Sequence, residues 1–199
     1  MTRLRDALAR ILADYPAARD EPFKDHPLAG FIRRDARRAV HGALPAPGPT
    51  IAVRASVGRS KWVTVPWIAV FDTAVTRSAT RGFYVVYLFS ADMRRAYLSL
   101  VTGTAAIRKA YGDEASDVLR DRAWLLARRA EDLGHSLPRA PIDLASDAQL
   151  PRDYERAHAG GFAYEADALP DEAAMRADLA RAADAYAALV RASGWMPLG

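Results

Sequence analysis

The feature that most constrains this sequence is a pair of apolar runs at its centre, residues 62–71 and 82–89. Both are rich in aromatic and β-branched side chains, which fit the pleated and partly buried surface of a sheet. A turn with glycine, two cations and a tryptophan begins the first run at residues 58–62. We therefore expect neighbouring strands here, with charged and flat side chains at the turn.

The hydrophobic period is helical at both ends of the chain and strand-like in the middle. The predicted strands are residues 50–57, 67–71, 82–89 and 95–100, with one short additional strand around 161–164. The predicted helices run over residues 3–15, capped by Thr2 and ended by Pro16, over 27–41, ended by Gly42, from 113 to 133, and from 170 to Gly194. In the helix from residue 113, Leu119, Leu125 and Leu126 are expected to face inward.

These elements predict an α+β fold in which helices from both ends of the chain flank a central, mostly antiparallel sheet. With 199 residues and 51% apolar content, the chain is long enough for one core, so we expect a single domain over residues 1–199. Helices and a proline-rich link occupy 1–49, the sheet 50–103 and a helical half 104–199.

Charge is divided unevenly along the chain. Residues 1–109 contain 18 Lys and Arg against 8 Asp and Glu, whereas residues 110–199 contain 10 against 16. Abundant arginine throughout the chain explains the total but not this placement. The asymmetry favours an anionic partner for the first half.

Several kinds of chemistry have no support in the sequence. There is no cysteine for a thiolate nucleophile or zinc site, no asparagine, no phosphate-binding Gly-x-x-x-x-Gly-Lys motif and no Gly-x-Ser-x-Gly turn. The scattered histidines lack metal-ligand spacing. We expect no cofactor, no metal and no membrane segment, and a cytoplasmic protein. Catalysis by this chain is not expected.

Beyond these exclusions, the central segments resemble the N-terminal domain of the McrB family, the DNA-recognition part of restriction systems that depend on modified cytosine. The similarity lies in residues 51–58, in 62–71 with its Pro66-Trp67 strand start, in 82–89, weakly in 98–100, and in 161–164 before the last helix. These segments keep the family's order and spacing over most of residues 1–195.

The resemblance implies a domain that binds double-stranded DNA, flips one modified base out of the helix and tests it in an aromatic pocket. Carried over by position, the pocket residues are Arg59, Trp67, Tyr84 and Leu88. Arg59 departs from the family pattern, which has an aromatic residue there. Residues placed to contact DNA around the pocket are Arg54, Ser60, Lys61, Trp62, Arg77, Arg81, Arg94 and Arg95.

Other interpretations of the same residues stay open. Trp67, Tyr84 and Leu88 are also ordinary core residues, and Asp72 either accepts a hydrogen bond from a base or caps a turn. The fold could serve as a protein-interaction module without DNA binding, or the acidic half could form a metal-dependent nuclease site. Under the favoured hypothesis the modified base is preferably a cytosine, and the partner is a nuclease or motor subunit or a fused effector domain.

Overall fold

A computed structural model describes residues 2–192, which form a five-stranded antiparallel sheet with helices on both sides. The strands are β1 Ile51–Ser56, β2 Trp67–Asp72, β3 Phe83–Phe89, β4 Arg95–Thr102 and β5 His158–Glu165. They pair in the order β1-β2-β3-β4-β5, each with the next along the chain. The predicted α+β single-domain fold is confirmed.

The helices precede and follow the four strands of the central hairpins. They are α1 Leu4–Ala18, α2 Pro27–Phe31, a π-helical turn Ile32–Ala36, α3 Arg37–Ala43, α4 Thr104–Tyr111, a 3₁₀ turn Gly112–Glu114, α5 Ala115–Asp132, α6 Gln149–Ala157 and α7 Glu172–Arg191. Helices α4 and α6 were not predicted. Gly194, the expected end of the last helix, lies outside the described residues.

The pairing register shows which side chains share a face of the sheet. Phe83 packs against Tyr186 of α7, so alternate residues from Phe83 onward face the layer of α1, α3 and α7. Tyr84 and Leu88 face the other way, toward α6 and the loop before it. Trp67 is paired directly with Leu88 and therefore lies on that second face.

Two predicted helix ends and one predicted buried residue were wrong. Pro16 lies inside α1 although it has no amide to donate to the carbonyl of Leu12, because burial of Tyr15 and Ala18 on the same helix offsets that loss. Gly42 lies inside α3, which ends one residue later. Leu125 is exposed, because α5 buries Leu119 and Leu126 together with alanines and not the wider leucine face expected.

The first helix is capped by the last one and not by Thr2. Both carboxylate oxygens of Glu172 accept hydrogen bonds from α1, at 3.3 Å from the amide of Leu4 and 2.8 Å from that of Arg5. The guanidinium of Arg5 also donates to the carbonyl of Pro170. These bonds satisfy amides that have no partner within their own helix. Among the described residues, no helix is long and apolar enough to cross a membrane.

Candidate nucleic-acid interface

Trp67 lies at the border between the covered and uncovered parts of one sheet face. It begins β2, where it is paired with Ser56 of β1 on one side and Leu88 of β3 on the other. The indole is partly exposed, and Arg54, two residues before Ser56 and on the same face, is exposed. We call Ser56, Trp67 and Leu88 the open end of this face. It offers a flat apolar surface with a hydroxyl and a cation beside it.

Tyr84 lies on the same face but about 13 Å further along, since it is four positions before Leu88 in β3. Its side chain is fully buried, its hydroxyl donates to the carbonyl of Ala79 at 2.8 Å, and it contacts Tyr154 of α6. Burial raises the pKa of the phenol well above its usual value, so the group stays protonated. We call Tyr84 and Tyr154 the sealed end.

Leu88 has no exposed surface either, although it belongs to the open end. The loop between α5 and α6 crosses this face near the β3–β4 turn. The amide of Asp143 donates to the Tyr97 hydroxyl at 3.3 Å, and the carbonyl of Leu144 accepts from the amide of Ala91 at 2.8 Å. The structure therefore brings Trp67 and Leu88 together but leaves Tyr84 out of their surroundings, and a base could reach Tyr84 only after covering segments had moved.

The loop between β1 and β2, residues 57–66, is held against α1 and the start of α2. The Trp62 ring makes edge contacts with Tyr15, Phe23 and His26 at centroid distances of 5.0–5.2 Å. Its indole nitrogen donates to the carbonyl of Glu21, and the Tyr15 hydroxyl donates to that of Val63 at 2.8 Å. Trp62, predicted as a DNA contact, packs in this aromatic cluster.

Arg59 and Ser60 are placed by this loop on the α2 side, the layer opposite to the face that carries Trp67. They line a groove of about 600 Å³ together with residues from α2 and the turn before it. The cations of its wall are Lys24, Arg33, Arg34 and Arg59. We call this the cationic groove. The structure thus groups Arg59 with other cations and not with the predicted aromatic pocket.

The remaining predicted contact residues lie near opposite ends of the strands. Lys61 and Arg94 are exposed near the open end, whereas Arg77 and Arg81 are exposed in the β2–β3 loop near the sealed end. Arg95 is engaged by the carboxylate of Glu165 at 2.8 Å, which raises the pKa of its guanidinium. That contact competes with any phosphate at Arg95.

Some residues of this surface were not predicted. Ser56 was not predicted, although it pairs with Trp67 across the hairpin. Placing the ten residues 57–66 in the connecting loop aligns the two strands and would have identified it. Lys24 was missed because it stands alone between acidic residues in the sequence. Asp72 caps the next turn by accepting from the amide of Ala74 at 2.9 Å, which agrees with one of its two proposed roles.

In a comparison with known protein families, residues 10–191 match the family described as the MrcB-like, N-terminal domain. The chain belongs to this family. A search of curated proteins finds no match. The MrcB-like N-terminal domain is a recognition domain, and membership supports a role in the recognition of modified DNA within a restriction system.

The family assignment covers both the cationic groove and the Trp67 face, since the match runs from α1 to the end of α7. Within residues 2–192, no group of three or more histidine, aspartate or glutamate side chains is arranged to hold a metal ion.

Proposed function

We propose that this domain recognises a modified base in double-stranded DNA by flipping the nucleotide onto Trp67 at the open end. A cytosine carrying a small substituent is the preferred base. The domain performs no chemistry on DNA and delivers a nuclease or motor, either fused to it or on a separate subunit, to the modified site.

The observation that carries this proposal is the position of Trp67. At the border between the covered and uncovered parts of one sheet face, its indole is partly exposed, with Ser56 opposite it and Arg54 diagonal to it. Stacking a base on such a ring contributes about 1–3 kcal/mol, which offsets much of the few kcal/mol needed to unstack that base from the duplex.

The neighbouring groups have distinct roles in this proposal. Leu88, directly beside Trp67, supplies the apolar contact for a methyl group once the indole has shifted to admit the base. Contact with Tyr84 requires movement of the loop that carries Ala79, because that carbonyl holds the phenol. Arg59 neutralises phosphate on the far side of the loop and does not stack on the base.

The test is the Trp67→Ala variant, measured by fluorescence anisotropy with duplexes that differ only in one 5-methylcytosine. We expect the preference for the modified duplex to disappear, with about a 5- to 150-fold loss of affinity for it, corresponding to the stacking energy. Weak, salt-sensitive binding from the surface arginines remains. A Trp67→Phe variant, which keeps a ring, retains part of the preference.

The matched control is Trp124→Ala. Trp124 lies on α5 and is 58% exposed, so its removal also deletes an indole but not one at the open end. It should leave the preference intact. A duplex with 2-aminopurine at the target position reports flipping directly, since fluorescence rises when the probe leaves the stack. Unchanged discrimination in Trp67→Ala would rule out the open end as the base site.

A second candidate function is a protein-interaction module, favoured by the apolar side chains that α5 and α6 expose. Trp124, Leu125 and Leu150 are 58%, 42% and 52% exposed, although large apolar residues are usually buried. If this is the function of the fold, the wild-type domain will show no affinity for any duplex at low salt, whatever its modification.

A further inference from the structure

The cationic groove is a second contact surface for the same ligand: we infer that it binds the phosphodiester backbone of the duplex whose base is examined at Trp67. The inference rests on the proposed function, since it takes double-stranded DNA as the ligand. It adds a site whose effect on binding is independent of base modification.

One wall of the groove comes from α2 and the π-helical turn, and the other from the β1–β2 loop. Arg33 and Arg34 rise from the first wall, Arg59 and Ser60 from the second, and Lys24 closes one end. Asp25 is the one carboxylate among the described residues that line the groove. Cations and a hydroxyl on facing walls suit the oxygen atoms of a phosphate group.

The two walls are joined by direct contacts, so the groove exists before any ligand binds. The guanidinium of Arg33 donates to the carbonyl of Gly58 at 2.7 Å and lies over the ring of Phe23. The Trp62 cluster holds the other end of the loop against α1. A preformed site loses little conformational entropy when it binds its ligand.

The cations that face the groove differ in whether other groups already use them. Arg33 is committed to Gly58 and serves to position the loop. Among the described residues, no hydrogen bond or ion pair engages the side chain of Lys24, Arg34 or Arg59. The guanidinium of Arg34 lies across Gly30, where an added Cβ would be 2.9 Å from it. Lys24, Arg34 and Arg59 are thus the groups available to phosphate.

The β1–β2 loop separates the cationic groove from Trp67. Because the loop contains residues 57–66 and lies at the edge of the sheet, a duplex placed across it presents phosphates to the groove on one side. On the other side, one extruded nucleotide reaches the open end. Each phosphate neutralised by a lysine or arginine releases counterions, so binding weakens with salt in proportion to the number of such contacts.

The experiment measures the dissociation constants of the methylated and unmodified duplexes over a series of salt concentrations. Lys24→Ala and Arg34→Ala should each reduce the slope of log K against log salt by about 0.9, and the double variant by about twice that. Both duplexes should weaken by the same factor, so the preference ratio stays that of the wild type. Arg34→Lys, which keeps the charge, should restore the slope.

The matched control is Arg38→Ala on α3. Arg38 is exposed on the same helical segment but lines a different cavity, with Arg37 and His41. Circular dichroism of each variant confirms folding. An unchanged slope in the double variant, or an equal change in Arg38→Ala, would overturn the groove as a site.

Failure of the groove and failure of the base site give different results. If the wild type binds both duplexes equally but the double variant lowers the slope, base recognition at Trp67 is overturned and the groove stands. If Trp67→Ala abolishes the preference and the double variant changes nothing, the groove alone is overturned. A wild type that binds no duplex at low salt overturns both.

Discussion

Trp67 and Tyr84 lie on the same face of one sheet, yet the open and sealed ends around them are built differently. Tyr84 is enclosed by Tyr154 of α6 and by the β2–β3 loop, and its hydroxyl is bonded to Ala79. Trp67 has strands on both sides but a partly exposed ring. The difference teaches that a single face can hold both a fully packed aromatic and a partly exposed one, about 13 Å apart.

From this difference we expect the sealed end to serve stability and propose that the open end serves binding. A fully buried aromatic contributes through the contacts and hydrogen bonds lost on truncation, whereas a partly exposed one has contact area to offer a ligand. Variants at the two ends should therefore separate unfolding free energy from DNA affinity.

The largest expected effect is at Tyr84. Tyr84→Ala should lower the free energy of unfolding by about 3–5 kcal/mol, because it leaves a cavity in the core and an unpaired Ala79 carbonyl. Tyr84→Phe removes the hydroxyl alone and should cost about 1 kcal/mol. Urea unfolding monitored by circular dichroism measures both. A Trp67→Ala variant that loses as much stability as Tyr84→Ala would break the comparison.

The next effect is a pH dependence at His158, a partly buried residue at the start of β5. Burial lowers the pKa of this imidazole from its usual 6.5 to about 4, and its Nδ1 lies 2.5 Å from the Ser99 hydroxyl. In the folded protein the ring is therefore neutral near pH 7. The unfolded chain takes up a proton below pH 6.5, so the contribution to stability is complete above that pH and declines as pH falls toward 4.

We expect His158 to account for about 2–3 kcal/mol of stability lost between pH 7 and pH 4.5. Urea unfolding of the wild type and of His158→Gln at both pH values measures it, since the difference between the two proteins removes the contribution of the carboxylates. Equal losses in the two proteins would contradict a lowered pKa for His158.

The smallest effect on stability is expected beside the open end, in Arg54→Ala. The side chain is exposed on β1, and such substitutions usually change the unfolding free energy by less than about 0.5 kcal/mol. DNA binding should still weaken, with the salt slope reduced by about 0.9 for both duplexes. A stability loss of more than about 1 kcal/mol would contradict a purely exposed Arg54, and unaltered binding would show that Arg54 does not contact DNA.

The first four strands could be predicted to within two residues at either end, for a local reason, whereas β5 was predicted at half its observed length. Predicted strand 67–71 is observed as Trp67–Asp72, and 82–89 as Phe83–Phe89. Where runs of aromatic and β-branched residues are bounded by glycine, proline and charged turns, the local sequence indicates where each strand begins and ends. The family resemblance rests on these same segments, and the match over residues 10–191 confirms it.

Helix α6 could not be predicted because its signals are weak or misleading. It has nine residues, and Pro151 in its first turn indicates a loop unless the helix start is already known. Its position is fixed by a long-range contact, in which the buried carboxylate of Asp153 accepts from Arg108 of α4. Sequence periodicity holds no information about such a pair.

The exposure of the aromatic residues was beyond prediction for the same reason. Trp62, Trp67 and Tyr84 occupy similar positions at strand starts or turns, but segments distant in the chain decide which ring is covered. Tyr15 and Phe23 enclose Trp62, and α6 encloses Tyr84. The expectation that Arg59 joins Trp67 also depended on loop direction, which the contact of Trp62 with the helices determines.

The cap that Glu172 provides for α1 has a consequence for how the chain folds during synthesis. Residues 4 and 5 emerge from the ribosome long before residue 172. The terminal amides of the first helix therefore cannot form these hydrogen bonds until most of the polypeptide has been synthesised. Contacts of such high sequence separation form late and slow the final assembly. Removing this carboxylate should therefore accelerate unfolding more than it retards refolding.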